Sequence, residues 1–243
     1  MTLNKAKGRM FRSVGWTFNP IAGCTHDCLY CWAKSLNDRW GKPFEPIFRE
    51  AFLKDKMPND GSWIFVGSMG DTFCSGVPDE WIYKLFSFIK KDRSNNIFLL
   101  QTKNPGRLHE EDISYELEEI KDKVILGTTL ESTWDDVSDY SKAPPPYERA
   151  YSLINKKRDG FKTFLSLEPL AEFDLEMMKI WIVKISPEAI EIGLENYTNY
   201  TTKPSDEKII ELINWIDSNG FNYVLKENLQ WLTQKGDYVQ DAS

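Results

Sequence analysis

Short apolar runs recur along the chain and are separated by longer segments with helical spacing. Seven of these runs predict strands, at residues 16–18, 63–66, 97–100, 124–126, 163–167, 189–192 and 223–225. Most are wholly apolar rather than alternating, as expected of parallel strands covered on both faces. The alternation of strands and helices predicts an α/β fold with a parallel sheet, which is either a barrel or an open doubly wound sheet.

Three of the intervening segments predict amphipathic helices, at residues 78–92, 146–160 and 205–220. Pro78 and Ser205 suit helix starts, and Gly160 and Gly220 suit helix ends. The residues expected to face the core are Ile82, Leu85, Phe86 and Ile89 in the first helix, Tyr147, Ala150, Tyr151 and Ile154 in the second, and Ile209, Leu212, Ile213 and Ile216 in the third.

Nearly every predicted strand runs directly into polar residues. The carboxyl ends of parallel strands meet at the edge of a barrel or doubly wound sheet where ligands bind. We therefore expect a ligand site at this edge. Its candidate residues, in chain order, are Ser68, Asp71, Lys103, Thr129, Glu131, Glu168, Glu195 and Lys226.

Length and charge narrow the classes of protein. A chain of 243 residues suits one large α/β domain. Its net charge of −7 argues against binding nucleic acid by bulk electrostatics, although it leaves room for a local basic groove. The sequence contains neither a signal peptide nor an apolar run long enough to span a membrane. These features predict a cytoplasmic protein.

Three of the four cysteines lie within the stretch GCTHDCLYC, as Cys24, Cys28 and Cys31. A zinc site would need a fourth ligand, either His26 inside the same tight loop or the distant Cys74. A ferredoxin-type site lacks its fourth cysteine. The remaining interpretation is a 4Fe-4S cluster with three protein ligands and one iron open to an external ligand. An open metal position is typical of reactive sites.

This cysteine spacing, with Tyr30 before the last cysteine, resembles the motif of the radical S-adenosylmethionine (SAM) superfamily. Other stretches resemble blocks of a phage- and bacterium-associated radical-SAM-like family of unassigned substrate, which is distantly similar to spore photoproduct lyase. They include GWTFNPIAGC, FVGSMGDTF, LLQTKNPGRL, FLSLEPL and YVLKENL. The resemblance implies a partial (β/α) TIM-type barrel of six or seven parallel strands at residues 15–230, between an N-terminal extension (1–14) and a C-terminal tail (231–243).

The resemblance also implies an enzyme, its cofactors and its partners. A 4Fe-4S cluster receives an electron from a donor such as flavodoxin or ferredoxin and cleaves SAM, and the 5′-deoxyadenosyl radical then abstracts hydrogen from a substrate. The likeness to spore photoproduct lyase points to modification or repair of a nucleic-acid base or nucleotide. A small molecule or peptide substrate, another mode of SAM cleavage and a non-catalytic zinc protein are the alternatives.

Within this resemblance the cofactor roles fall on particular residues. Cys24, Cys28 and Cys31 match the cluster ligands, and Tyr30 matches an aromatic position beside the adenine of SAM. The remaining assignments are Ser68 or Asp71 to the SAM amino group, Lys103 to its carboxylate, and Thr129 and Glu131 to its ribose.

Three residues are candidates for chemistry on the substrate. Glu168 is expected either to contact SAM or substrate or to pair with Lys226, which itself ends a strand where substrate is met. Cys74 either returns a hydrogen atom to a substrate radical or is an inert buried thiol. His109 is expected to face solvent.

Overall fold

The computed structural model describes residues 3–8, 10–135, 139–196 and 198–234. Its strands are β1 (Leu3–Lys5), β2 (Val14–Phe18), β3 (Ile21–Ala22), β4 (Ile47–Phe48), β5 (Trp63–Val66), β6 (Ile97–Gln101), β7 (Val124–Thr129), β8 (Lys162–Leu167), β9 (Ala189–Ile192) and β10 (Tyr223–Leu225). Its α-helices are α1 (Trp32–Arg39), α2 (Asp79–Lys91), α3 (Glu111–Glu118), α4 (Pro146–Arg158), α5 (Leu175–Ile185), α6 (Asp206–Ser218) and α7 (Trp231–Gln234). All seven strands predicted from the apolar runs are present.

The main sheet has eight strands in the order β1-β2-β5-β6-β7-β8-β9-β10. Within this sheet β2 and the strands from β5 to β10 pair in parallel, and β1 pairs antiparallel with β2 at one edge. Strands β3 and β4 form a separate antiparallel pair. The sheet is curled, but its edge strands β1 and β10 do not pair with each other, so it does not close into a complete barrel. The fold is a partial (β/α) TIM-type barrel, which confirms the predicted fold class and decides between the barrel and the doubly wound sheet.

Each face of the sheet carries its own apolar cluster, because successive side chains of a strand point to opposite faces. Ile64, Val66, Phe98 and Leu100 lie on the face covered by the helices. Leu99, Ile125 and Phe164 lie on the other face, the interior of the half-barrel. The parallel strands are therefore buried on both sides, which explains their continuous apolar runs.

The N-terminal segment is part of this interior rather than a separate extension. β1 hydrogen-bonds to β2, and the Phe11 ring lies 5.3 Å from the ring of Phe65 and 5.1 Å from that of Phe164. Phe11 thus fills space that a closed barrel would fill with residues from its own strands. Residues on both sides of the predicted boundary at residue 14 thus pack together, and the boundary itself stays a prediction.

Two of the predicted helices bury the expected face. The predicted core residues of α2 and α6 are all buried, and the Ser205 hydroxyl caps α6 by accepting from the Lys208 amide at 3.2 Å. The predicted face of α4 is partly wrong. Tyr147 and Tyr151 are 41% and 52% exposed, whereas Arg149 and Leu153 are buried together with Ala150 and Ile154. The buried face of α4 differs from the predicted one because the Arg149 side chain points inward and pairs with the Glu131 carboxylate.

None of the helices in the described part of the chain is both long enough and apolar enough to cross a membrane.

Candidate functional site

A cavity of about 400 Å³ opens at the carboxyl ends of the parallel strands. It extends from the loop after β3 across the sheet to the loops after β8 and β9. Its lining includes ten of the residues predicted from the sequence, namely Cys24, Cys28, Tyr30, Cys31, Ser68, Asp71, Lys103, Thr129, Glu168 and Glu195. A larger, shallower groove of about 670 Å³ beside α2 contains none of them. The candidate site is therefore the cavity at the strand ends.

Two glycines hold the cysteine loop against the loop after β5. The Gly23 amide donates to the Met69 carbonyl at 3.0 Å, and the Asp71 amide donates to the Gly23 carbonyl at 3.1 Å. A Cβ atom on Gly70 would lie 2.2 Å from the Gly23 oxygen, and Gly23 has a φ of +88°. Only glycine permits this approach and this backbone conformation. The three cysteines are thereby placed at the mouth of the half-barrel.

The cysteine side chains are reduced, and each has a partner within the protein. Cys28 lies 3.1 Å from the Ser141 hydroxyl, and the Cys31 sulfur accepts from the Lys34 amide at the start of α1 at 3.4 Å. Cys24 shares a hydrogen bond with Cys74, and that bond together with burial raises the pKa of Cys24. Burial also raises the pKa of Cys31.

The three cysteines line one cavity, and their arrangement bears on which metal group they could hold. In the described part of the chain no three His, Cys, Asp or Glu side chains are placed to share one metal ion. A zinc ion needs its ligands to converge to about 2.3 Å from one centre. Cysteine ligands of an iron–sulfur cluster bind different irons, so their sulfur atoms need not converge on one point. Three thiols that line one cavity are compatible with such a cluster. His26, the proposed fourth zinc ligand, is instead bonded to Asp71.

Asp71 is buried and joins three loops of the site. Its carboxylate lies 3.0 Å from His26 Nε2 and accepts from the Thr102 hydroxyl at 2.7 Å and the Lys103 amide at 2.8 Å. Burial alone would raise the pKa of Asp71, but His26 and these hydrogen bonds outweigh it and lower the pKa. Both carboxylate oxygens of Asp71 therefore already accept hydrogen bonds within the protein. Of the two residues predicted to hold the SAM amino group, Ser68 is the better placed to accept a further hydrogen bond.

Ser68 lies at the cavity wall after β5. Its hydroxyl donates to the Asn19 side-chain oxygen at 3.2 Å, and the same oxygen accepts from the Met69 amide at 2.9 Å. Asn19 thus orients the loop and leaves the Ser68 oxygen able to accept a further hydrogen bond.

Glu131 is fully buried and does not line the cavity. Arg149 donates to one of its oxygens at 2.6 Å, and Lys103 and the Tyr30 hydroxyl each donate to the other at 2.9 Å. Burial would raise the pKa of Glu131, but the charges of Arg149 and Lys103 hold it well below its ordinary value. Protein donors enclose both oxygens of Glu131, and its assignment to the ribose hydroxyls stays a prediction.

This carboxylate links the cysteine loop to the loop after β6. Lys103 also hydrogen-bonds the Tyr30 hydroxyl, and its ammonium lies 4.6 Å from the centre of the Tyr30 ring. Burial and the neighbouring Glu131 raise the pKa of Tyr30 well above its ordinary value, so the phenol remains a neutral donor. Lys103 reaches the cavity, but it does so from a position fixed by Glu131.

Glu168 and Lys226 approach each other, as one of the two sequence interpretations predicted. The Lys226 ammonium lies 3.5 Å from Glu168 and 3.3 Å from Glu191, a fully buried residue of β9. Glu168 lines the cavity, whereas Lys226 opens only to a small adjoining pocket. Sequence reasoning missed Glu191, and the available signal was an acidic residue inside the apolar run AIEI.

The other predicted residues have simpler surroundings. Thr129 accepts from the Gln101 amide at 3.0 Å at the cavity wall. Glu195 accepts from the Thr201 amide at 2.8 Å and hydroxyl at 2.7 Å, so it stabilises its own loop. Cys74 is buried and does not line the cavity, which favours the inert-thiol interpretation. His109 is exposed, as predicted.

Comparison with known proteins identifies similar folds. Spore photoproduct lyase with bound AdoMet and dinucleoside spore photoproduct superposes with a TM-score of 0.64 at 12% identity, covering 90% of this chain and 78% of that one. Streptococcus suis SuiB bound to S-adenosylmethionine superposes with a TM-score of 0.57 at 10% identity, covering 92% and 53%. At these identities the likeness concerns the fold, and the predicted similarity in fold to spore photoproduct lyase is confirmed.

Two sequence matches place the chain among relatives. An uncharacterized protein, ORF301, of Acidianus two-tailed virus is 26% identical over 176 residues, which cover 65% of this chain and 56% of the viral protein. The chain thus matches little more than half of that relative's length. The model of the family described as "protein of unknown function (DUF5131)" matches residues 12–186. The chain therefore belongs to the DUF5131 family.

Proposed function

We propose that the protein is a radical SAM enzyme that carries a 4Fe-4S cluster on Cys24, Cys28 and Cys31 and binds SAM in the cavity at the strand ends. The observation that carries this proposal is the position of the three thiols. They lie on one loop at the mouth of a half-barrel and line one cavity together with Lys103 and Ser68. Solved structures with the same fold hold AdoMet or S-adenosylmethionine.

The cavity offers complementary groups for each polar part of SAM. The Lys103 ammonium provides a cation for the carboxylate, and the Ser68 hydroxyl provides an acceptor for the amino group. Thr129 lines the wall where ribose hydroxyls need a hydrogen-bonding partner. Tyr30 presents a ring next to the cysteines, where it can contact the adenine.

When bound, such a cluster supplies the electron that cleaves the sulfonium of SAM and yields a 5′-deoxyadenosyl radical able to abstract hydrogen. The protein's contribution is to place the cofactor and exclude water. Phe11 and Phe65 stack on each other and form part of the apolar wall of the cavity, and Glu131 keeps Lys103 and Tyr30 in fixed positions. The electron comes from a donor such as a flavodoxin or ferredoxin.

The proposed substrate is a nucleic-acid base or nucleotide. A fold shared with an enzyme whose solved structure holds a dinucleoside photoproduct motivates this assignment. A base within a duplex would have to leave the helix to reach a cavity at the end of a half-barrel. With a net charge of −7, the protein is better suited to a nucleotide or single-stranded segment than to extensive contact with duplex phosphates.

Metal analysis of protein purified without oxygen tests the proposal. We expect a brown protein with about four irons and four sulfides per chain. The matched variant Cys74→Ala should retain them, whereas Cys28→Ala should lose them. One tightly held zinc ion per chain, without iron, would contradict the proposal and support the zinc alternative.

A further inference from the structure

A series of polar contacts connects Glu168 through Lys226 and Glu191 to Ser13. Ser13 donates to Glu191 through its amide at 3.1 Å and its hydroxyl at 3.3 Å. Glu191 lies 3.3 Å from the Lys226 ammonium, which lies 3.5 Å from Glu168. The first member comes from the N-terminal segment and the others from the ends of β8, β9 and β10. Residues far apart in sequence therefore converge on one cavity-lining carboxylate.

The packing around this chain is close. The Lys226 ammonium lies 4.6 Å from the centre of the Phe11 ring. A Cβ atom on Gly193 would lie 2.7 Å from Lys226 Cγ and 3.2 Å from a Glu168 oxygen. Glycine at this position lets the two side chains pass the end of β9. These contacts consequently restrict the conformation of the Glu168 side chain.

Glu168 and Glu191 flank the single ammonium of Lys226 at the ends of β8, β9 and β10. This end of the cavity suits hydrogen-bond donors, because a carboxylate offers about four acceptor positions and can bind Lys226 and a ligand together.

Aromatic side chains share the cavity with this acceptor. Phe11 and Phe65 line the same cavity as Glu168, and Trp32, 43% exposed, lines it next to the cysteine loop. Asn196 adds a side-chain amide to the lining. Aromatic side chains with carboxylate acceptors and side-chain amides in one cavity match a planar ring with polar edges, which is the form of a nucleobase.

We propose that Glu168, positioned by Lys226, Glu191 and Ser13, binds the exocyclic amino group of the substrate base. The inference rests on the proposed function and narrows its substrate class to bases that carry an amino group, such as cytosine or guanine. A carboxylate accepts from an amino group but is repelled by the carbonyl oxygen that replaces it in uracil. Glu168 is thus a specificity-determining residue, and the other three are positioning residues.

Binding of matched nucleosides to the cluster-loaded protein with SAM tests this inference. The probes are cytidine against uridine and guanosine against inosine, which differ at the amino group. We expect at least one amino-bearing member to bind roughly tenfold more tightly than its partner. Glu168→Gln should remove most of this preference, and Ser13→Ala should reduce it. Glu176→Gln, on an exposed part of α5, should leave it unchanged.

Several outcomes would overturn the inference. They are equal binding within both pairs, binding of neither amino-bearing nucleoside at millimolar concentration, or a preference that Glu168→Gln retains. SAM binding and iron content, measured on the same samples, separate this failure from failure of the proposed function. If both are normal while the preference is absent, only the amino-group inference falls. The wild-type comparison needs no variant and therefore does not depend on the folding of Glu168→Gln.

Discussion

At the scale of single residues, the site depends on charges that are buried and paired. Glu131 and Arg149 have fully buried side chains, and Lys103 and Tyr30 complete their network. A buried charge is tolerated only when partners satisfy it, and loss of one partner exposes the full desolvation cost of the other. The network therefore couples the stability of the protein to the position of Lys103.

Replacing the central carboxylate should destabilise the protein strongly. Glu131→Gln leaves the Arg149 guanidinium buried without its counter-charge, so we expect the free energy of unfolding to fall by about 3–5 kcal/mol. Urea denaturation measures this change. The matched variant Glu119→Gln removes the carboxylate that pairs with Lys90 on the surface and should cost less than about 1 kcal/mol. Equal, small effects of the two variants would contradict the structural account.

The same carboxylate should make stability depend on pH in the acid range. Because Arg149 and Lys103 lower the pKa of Glu131 in the folded state, its contribution is complete above the ordinary glutamate pKa of about 4.3. It is lost progressively as pH falls toward the lower, folded-state value. The difference in unfolding free energy between wild type and Glu131→Gln should thus be constant near neutrality and shrink below about pH 4. A difference that grows on acidification would reverse the expected sign.

Lys103 should matter for SAM binding as well as for folding. Lys103→Met leaves Glu131 with Arg149 and Tyr30 but removes the cation that faces the cavity. A charge-assisted hydrogen bond contributes about 1.5–3 kcal/mol, so SAM affinity should fall by roughly 10- to 100-fold. Equilibrium dialysis with the cluster-loaded protein measures this. Lys90→Met, on the surface, is the control, and unchanged affinity in Lys103→Met would remove Lys103 from the SAM site.

At the scale of elements, the site depends on how closely the loops after β3 and β5 approach. Gly70→Ala would place a Cβ atom 2.2 Å from the Gly23 carbonyl oxygen, so the loops must separate. We expect a loss of stability of about 1–3 kcal/mol and less iron per chain after reconstitution. Gly106→Ala is the matched control, since its Cβ atom would meet its nearest neighbours at 3.8 and 3.9 Å. Normal iron content in Gly70→Ala would show that this approach does not support the cysteine loop.

The long strands were predictable, whereas only three of the seven α-helices in the described residues were. Apolar runs such as residues 97–100 identify buried parallel strands, because few other structures bury every side chain. Strands β1, β3 and β4 were not predicted, because a strand of two or three residues has no detectable hydrophobic periodicity. The helical pattern of α4 gave the helix but misjudged its face, because two tyrosines resemble core residues and Arg149 resembles a surface residue. Its inward direction depends on Glu131, which contacts it only in the folded protein.

At the scale of the whole molecule, an unclosed barrel creates the cavity and also leaves its interior to be filled. The N-terminal segment fills it with Phe11 and supports Glu191 with Ser13. The sequence identified the strand ends as a ligand edge, since that follows from parallel topology. It did not identify Ser13, Arg149 or Glu191 as part of the site, because their partners lie between 18 and 178 residues away in the chain.

The central claim is that this half-barrel uses its three clustered cysteines to support reductive cleavage of SAM. The most direct test is to incubate the reconstituted protein with dithionite and SAM without oxygen and to identify the nucleoside product. The account predicts 5′-deoxyadenosine from the wild type and its absence from Cys28→Ala. Formation of methylthioadenosine instead, or no cleavage by a protein that holds a complete cluster, would contradict it.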